Sequence, residues 1–268
     1  YITDRRSRYP RFSDATAMQV RKLFDALLLG TFVGGVERTY NPLSVRHHRV
    51  SERNAVKILR ALGCVEWFAR SYNSAKHIVL VRHPMPTILS RERNGWHAPF
   101  EAFYQDRGWW ETLSAPAKKL AEKLSSKGAF ERHLAVWALE HSILPSAQSR
   151  LRDDGVSLIA FEHLVRDAEE SARWLSRELQ LPQPESVLPA LAAPSRSTKH
   201  SSRGNTQAIR FGDRARVIRG WQDHATVGQR RLLEEALHAF EIDFYIADDP
   251  DPRNFLATAP WAEADYSR

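Results

Sequence analysis

The stretch HIVLVRHPMPTILSR, residues 77–91, decides the fold that this sequence predicts. Its first half is a continuous apolar run rich in β-branched residues, which is typical of a strand buried on both faces of a parallel sheet. The run ends at Arg82, and Pro84 suits the first turn of a helix, where its missing N–H would have no partner anyway. The stretch therefore predicts a strand that ends at Arg82, followed by a helix that carries Ser90.

The rest of the chain repeats this alternation of strands and helices. GVSLIAF (155–161) predicts a second buried strand, and NAVKIL (54–59) predicts a shorter one. Helices are predicted between Ser13 and Gly30 and over 62–72, 130–153, 162–179 and 225–240. The Pro-, Ser- and Arg-rich segment from Leu181 to Arg219 predicts a long loop. Strands that alternate with helices indicate an α/β fold with a parallel β-sheet flanked by helices, which we expect to form a single domain over residues 1–268.

Three polar residues follow the predicted strands. Arg82, Lys57 and Glu162 each stand at the carboxyl end of a strand, the edge at which ligands bind in parallel α/β sheets. An arginine, a hydroxyl and a helix N-terminus together favour an anionic ligand. The sequence therefore predicts an anion site around Arg82 and Ser90.

Composition agrees with an anionic partner. The 268 residues include 39 Lys and Arg against 32 Asp and Glu, a net charge of +7, which suits nucleic acid, an acidic membrane surface, or a phosphorylated or sulfated small molecule. The single cysteine, Cys64, excludes an intrachain disulfide and a cysteine-based metal site. We expect Cys64 to be a small buried residue and the protein to be cytoplasmic. The longest apolar stretch, residues 26–36, is too short for a membrane span.

AKHIVLVRHPMPTILS resembles the 3′-phosphate-binding segment of the sulfotransferases that use 3′-phosphoadenosine 5′-phosphosulfate (PAPS). The family pattern is an apolar strand, an arginine, any residue, a proline, and a serine eight residues after the arginine. Arg82, Pro84 and Ser90 fill these positions.

Two further blocks are similar to the same family. GVSLIAFEHLVRDAEESARWLSRELQLP looks like its strand–Tyr-Glu-Asp-Leu–helix block, with Phe161, Glu162 and Leu164 in matching positions and His163 in place of the acidic residue. RVIRGWQDHATVGQRRLLEEALHAFEIDFY is similar to its carboxyl-terminal Arg-Gly and Trp block. AVWALEHS is similar to the helix between the first two blocks. Together they cover roughly residues 54–245 in the family's order.

The resemblance implies a P-loop NTPase-like sulfotransferase fold, PAPS as co-substrate, no metal, and transfer of a sulfuryl group to a hydroxyl or amine. It implies that Arg82 and Ser90 hold the 3′-phosphate, and that Arg219 and the backbone of Gly220 close over it. Lys57 would lie near the transferred sulfuryl group. The acceptor, a small molecule, a lipid or a carbohydrate, is left open, and so is the oligomeric state.

Two departures from the family pattern affect these expectations. The loop that holds the 5′-phosphosulfate has no counterpart, since GTFVGG (30–35) lacks a following Lys-Thr, and we expect that loop to lie upstream of Tyr1. Leu59 stands where many members have a catalytic histidine. NGWHAPFEAFYQDRGWW (94–110) offers His97 or Glu101 as general base beside an aromatic acceptor pocket, although these aromatics also suit core and lid packing.

Two other functions stay open. A P-loop-type nucleotide kinase would share the parallel sheet, but its Walker A lysine and Mg²⁺-binding carboxylate are not visible in the sequence. A non-catalytic basic domain that binds anions or nucleic acid would fit the net charge, but no recognised nucleic-acid motif is present.

Overall fold

The computed structural model describes residues 62–181, 187–192 and 213–261, together with Arg21, Lys22 and Asp25. Its contacts divide the chain into two units. The smaller unit takes in the chain up to Cys64 and Glu101–Thr112, and the larger one takes in Val65–Phe100 and the chain from Leu113 onward. The strand predicted over 54–59 and the helix predicted between Ser13 and Gly30 lie outside the described residues.

Two parallel strands form the sheet of the described residues. β1 (His77–Val81) pairs with β2 (Val156–Ala160) in a register that runs from His77 opposite Val156 to Val81 opposite Ala160. The chain between them forms helices, as a parallel connection requires. The structure therefore confirms a mixed α/β protein, which is mostly helical.

The prediction that β1 is buried on both faces is wrong. β2 is buried at Val156 and over 158–160, whereas in β1 Leu80 is 51% exposed and Val81 alone is buried. Within the described part of the chain, β1 is hydrogen-bonded to β2 only, so this neighbour covers one of its edges. The apolar run correctly indicates the strand but overstates its burial.

Helices make up most of the described chain. In chain order they are α1 (Val65–Ser71), α2 (Pro84–Arg93), α3 (Phe100–Gln105), α4 (Arg107–Trp110), α5 (Ala115–Ser125), α6 (Ala129–His141), α7 (Leu144–Asp153), α8 (Phe161–Arg166), α9 (Ala168–Glu178), α10 (Val187–Ala192), α11 (Arg214–Arg219) and α12 (Val227–Ala239). Short 3₁₀ turns lie at Leu62–Cys64 and Asn254–Leu256. None of the helices in the described ranges has the length and apolar character needed to cross a bilayer.

Two of the predicted helices are each divided in two. The helix predicted over 130–153 is α6 followed by α7, and Pro145 lies in the first turn of α7. Proline has no N–H to continue the hydrogen-bond ladder of α6, so a new helix begins there. The helix predicted over 162–179 is α8 followed by α9, with the break at Asp167, whose φ of −109° and ψ of 50° are not helical.

The predicted loop from Leu181 to Arg219 is wrong in two places, because α10 and α11 lie inside it. α11 begins where the Asp213 carboxylate accepts a hydrogen bond from the N–H of Arg216 at 3.0 Å. It packs on α8 and buries Ile218. This capping bond and the tertiary contact stabilise a helix whose sequence, RARVIR, shows little apolar periodicity.

The core of the larger unit is centred on α6. Every residue of α6 from His133 to Glu140 is buried, as expected for a helix that packs on α2, α5 and α12. The buried carboxylate of Glu140 pairs with Arg91 of α2 at 3.1 Å. A buried charge is tolerated when it is paired in this way, so the pair fixes α2 against α6.

A second apolar cluster covers β2. It joins Ile159 of β2 and Trp174 of α9 to Ala259 and Trp261 near the carboxyl end, with the two indole rings 5.9 Å apart.

The turn before β2 is made by Gly155, whose φ of +76° is a left-handed conformation that glycine adopts without strain.

The described part of the smaller unit is packed around Trp109. Its ring meets Phe103 edge to face at 5.7 Å, and a Cβ at Gly63 would come within 2.2 Å of it. Cys64 is buried, as predicted. Burial, and secondarily the charge of Asp106, raise the pKa of the Cys64 thiol to about 12, so it stays a thiol.

Leu134 of α6 tests the assigned core. It is fully buried, so we expect Leu134→Ala to lower the free energy of unfolding by about 2–5 kcal/mol, through lost burial and a residual cavity. Leu80→Ala is the matched control, because Leu80 is 51% exposed and its truncation should cost about 1 kcal/mol or less. Urea denaturation measures both, and equal losses would contradict the assigned core.

Candidate anion-binding site

The parallel register brings together the residues that follow the two strands. The register ends with Val81 opposite Ala160, so Arg82 and His83 leave β1 beside the point where Phe161 and Glu162 leave β2. The Arg82 guanidinium lies over the Phe161 ring, with Cζ 4.4 Å from the ring centroid, which is a cation–π contact. The register thus fixes where the arginine lies.

Glu162 is the centre of the hydrogen bonding at this end of the sheet. It is 2% exposed; its Oε1 accepts from the His83 N–H at 3.0 Å, and its Oε2 accepts from the Tyr245 hydroxyl at 2.6 Å. Burial raises the pKa of Glu162, while the two hydrogen bonds and the charge of Arg82 act in the opposite direction. Burial also raises the pKa of Tyr245 well above its ordinary value, so its hydroxyl stays protonated and donates. The carboxylate thereby joins the end of β1, the start of α8 and the segment after α12.

His83 is fully buried, and both of its ring nitrogens form hydrogen bonds. Its Nδ1 accepts from the Met85 N–H at 3.2 Å, so the ring proton is on Nε2, which donates to the carbonyl of Ile246 at 3.0 Å. The ring stacks on Trp221 at 4.6 Å and 14°. Burial lowers the pKa of His83 to about 4, which keeps the imidazole neutral at pH 7. His83 is therefore a structural link between β1 and the turn that carries Trp221.

The N-terminus of α2 does not offer the backbone donors that the sequence led us to expect. Pro84 and Pro86 have no N–H, the N–H of His83 donates to Glu162, and that of Met85 donates to His83. An anion beside the end of β1 therefore needs a side-chain donor, because the N-terminus of α2 has no free backbone donor to give it. Pro84 and Pro86 were the sign in the sequence that these backbone donors would be missing.

Arg82 is the side chain that meets this requirement. Its Nε is buried, and among the described residues none accepts a hydrogen bond from it. Burial lowers the pKa of the guanidinium, and the nearby Glu162 carboxylate opposes that shift. Since a guanidinium keeps its charge in proteins, Arg82 is a cationic donor with unused hydrogen-bonding capacity at the carboxyl end of β1.

The turn after α11 reaches the same end of the sheet. Trp221 follows Arg219 and Gly220 and stacks on His83, while α11 packs on α8. Arg219 is exposed and pairs with Asp251, with Nη2 and Oδ2 3.6 Å apart. The predicted roles of Arg219 and of the Gly220 backbone toward a phosphate stay predictions.

Ser90 lies in α2, eight residues after Arg82, and is exposed. Its hydroxyl is 3.4 Å from Nδ2 of Asn94, which makes a shorter bond of 2.7 Å to the Ser90 carbonyl. The hydroxyl is thus accessible to solvent, and its predicted role as a phosphate ligand stays a prediction.

The predicted catalytic residues are less well defined. Lys57 lies outside the described residues. His97 is exposed in the segment between α2 and α3, and Glu101 is exposed in the first turn of α3. Trp109 and Trp110 are buried, which supports packing rather than an open pocket for these two, whereas Trp96 is 48% exposed. The roles of His97 and Glu101 as general base stay predictions.

The sequence reasoning assigned no role to three members of the site: His83, Trp221 and Tyr245. All three lie inside motifs quoted from the sequence, but their contacts join residues as far apart as 163 positions in the chain. Comparison of the chain with protein-family models, with curated proteins and with solved structures gives no match. Any functional proposal therefore rests on the residues of the site and on the resemblance of the sequence motifs.

The buried His83 predicts a pH dependence of stability. Its pKa is about 4 in the folded protein and about 6.5 when unfolded, so below pH 6.5 the unfolded state binds the extra proton. Stability should fall as the pH drops from 6.5 to 4, with His83 contributing up to about 3 kcal/mol. His83→Gln should reduce the slope of the unfolding free energy over this window, whatever its effect at pH 7, and part of the slope should remain because burial also lowers the pKa of His141 to about 4.

His238→Gln, which removes an exposed imidazole on α12, is the control for that measurement. A His83→Gln curve as steep as that of the wild type would show that His83 titrates normally in the folded protein.

Proposed function

We propose that the chain is a PAPS-dependent sulfotransferase, which binds its donor at the carboxyl end of β1 and transfers a sulfuryl group to an acceptor hydroxyl or amine. The observation that carries this proposal is Arg82 at the end of β1, whose buried Nε has no acceptor within the described ranges. A phosphate oxygen is a strong acceptor for a guanidinium, and leaving such a donor unsatisfied costs free energy.

The surroundings of Arg82 support the same ligand. Arg219 ends α11, and the turn after it carries Trp221, which stacks on His83, the residue that follows Arg82. A 3′-phosphate carries up to two negative charges, which suits two guanidinium groups better than one. The two strand–helix junctions also agree with the resemblance, because β1 is followed directly by α2 and β2 directly by α8.

The roles of the other residues are those that the sequence resemblance and the residue types suggest. Ser90 would donate a hydroxyl to the 3′-phosphate, and the Gly220 backbone would close over it. Lys57 would stabilise charge near the sulfuryl group, and His97 or Glu101 would remove the acceptor proton. Sulfuryl transfer needs positioning and electrostatic stabilisation above all, and these residue types supply both. PAPS itself would supply the sulfuryl group, and a P-loop NTPase-like sheet would hold it.

Ligand-dependent thermal stability tests the proposal. Adenosine 3′,5′-bisphosphate (PAP), 5′-AMP and ATP would be compared at one fixed salt concentration, since a ligand that binds only the folded state raises Tm. We expect PAP to raise Tm more than either, because only PAP has a 3′-phosphate. Arg82→Ala should weaken PAP binding about ten- to a hundredfold, as the loss of a charged hydrogen bond does.

Two further variants keep this test decisive. Arg82→Lys keeps the positive charge but lacks the forked set of N–H donors. This variant should therefore fold, and it should bind PAP less tightly than the wild type does. Arg132→Ala is the matched control, since Arg132 is an exposed arginine of α6 that donates to the Ser125 carbonyl.

Wild-type PAP affinity in Arg82→Ala would overturn the proposed site. A larger Tm shift with Mg²⁺ and ATP would favour the kinase, and salt-steep polynucleotide binding would favour the nucleic-acid domain.

A further inference from the structure

Three arginines gather on the surface where α8 meets α11. Arg166 is the last residue of α8, while Arg214 and Arg219 are the first and last residues of α11. Arg214 donates to the Arg166 carbonyl at 3.2 Å and to the Glu169 carboxylate at 3.0 Å. Arg214 is thus occupied within the cluster, whereas Arg166 and Arg219 share a different partner.

That partner is Asp251. Its Oδ1 accepts a hydrogen bond from Nη2 of Arg166, and its Oδ2 lies 3.6 Å from Nη2 of Arg219. One carboxylate therefore bridges the ends of two helices. The three side chains are between 40% and 57% exposed, so a dissolved anion can reach them.

The segment that carries Asp251 holds it in a defined position. The Asp249 carboxylate accepts from the N–H of Asp251 at 3.0 Å, and the N–H of Arg253 donates to the carbonyl of Phe244 at 3.0 Å. Pro250 and Pro252 flank Asp251 and restrict its backbone. Asp251 is therefore presented to the two arginines rather than moving freely at the surface.

We propose that Arg166 and Arg219 form a binding pair for a phosphate or sulfate group, and that Asp251 is an internal competitor which the ligand displaces. Carboxylates and phosphates are both recognised by guanidinium donors, so donors that accept Asp251 also suit a phosphate oxygen. The inference rests on the proposed function in one respect: the group bound is the 3′-phosphate of the donor nucleotide, and Arg166 is a further ligand for it.

Displacement of Asp251 has a modest energetic cost. Exposed ion pairs contribute little individually because water and salt screen them. A doubly charged phosphate can replace one carboxylate on two guanidiniums, whereas a weakly bound singly charged anion gains little by the exchange. Asp251 would thus set a threshold that favours phosphate esters over common monovalent anions.

Asp251→Asn tests the inference, with Asp248→Asn as its matched control. Both variants remove one negative charge from the same segment, but Asp248 pairs with Arg230 of α12, at 2.9 Å. Calorimetric titration at fixed ionic strength should show that Asp251→Asn binds PAP about three- to tenfold more tightly than wild type. This gain corresponds to the free energy of the two exposed ion pairs that the ligand no longer has to break. Asp248→Asn should change the affinity less than about twofold. Arg166→Ala should weaken PAP binding about tenfold, and Arg132→Ala should not.

Each outcome is decisive. A lower Tm for Asp251→Asn with unchanged PAP affinity would make Asp251 a purely structural link and overturn the inference. An equal gain in Asp248→Asn would assign the effect to net charge and overturn it as well. The Tm shift given by inorganic sulfate separates the two proposals. If PAP does not bind but sulfate stabilises Asp251→Asn more than Asp248→Asn, the arginine pair stands and the sulfotransferase proposal fails.

Discussion

The carboxyl end of the sheet depends on the buried carboxylate of Glu162. A buried carboxylate without donors costs several kcal/mol, so the fold must bring donors to it. His83 and Tyr245 supply them from positions 79 and 83 residues away in the chain. The end of β1, the start of α8 and the segment after α12 are therefore held as one unit, and Arg82 is fixed because it precedes His83.

Two carboxylates balance the arginines of this region in different ways. Glu162 is buried and hydrogen-bonded, so it is a permanent part of the structure that lies near Arg82 without using its Nε. Asp251 is half exposed and bridges Arg166 and Arg219, so its contacts can be exchanged for those of a ligand. The difference in burial separates a structural counterion from a replaceable one.

The sequence predicts the elements that local patterns determine. The apolar runs of β1 and β2, the helix that begins at Pro84, and α12 all lie where they were expected. The break at Asp167 and the helix α11 were missed, because tertiary contacts rather than local propensity decide them. The strong amphipathic pattern on both sides of Asp167 concealed the break.

The same distinction between local pattern and tertiary contact applies to the residues of the candidate site. Arg82 and Glu162 could be predicted, because the rule for parallel sheets places strand-end residues at the ligand edge. Their partners could not, since the stack of Trp221 on His83 and the hydroxyl of Tyr245 depend on how distant segments pack. Asp251 was missed for the same reason. The expected helix N-terminal anion site is wrong for a local reason, the prolines at positions 84 and 86.

A crystal structure of the protein with PAP bound would test the central claim most directly. The account predicts the 3′-phosphate at the carboxyl end of β1, with an oxygen within about 3 Å of a guanidinium nitrogen of Arg82. A nucleotide bound with both of its phosphates away from Arg82 would contradict it.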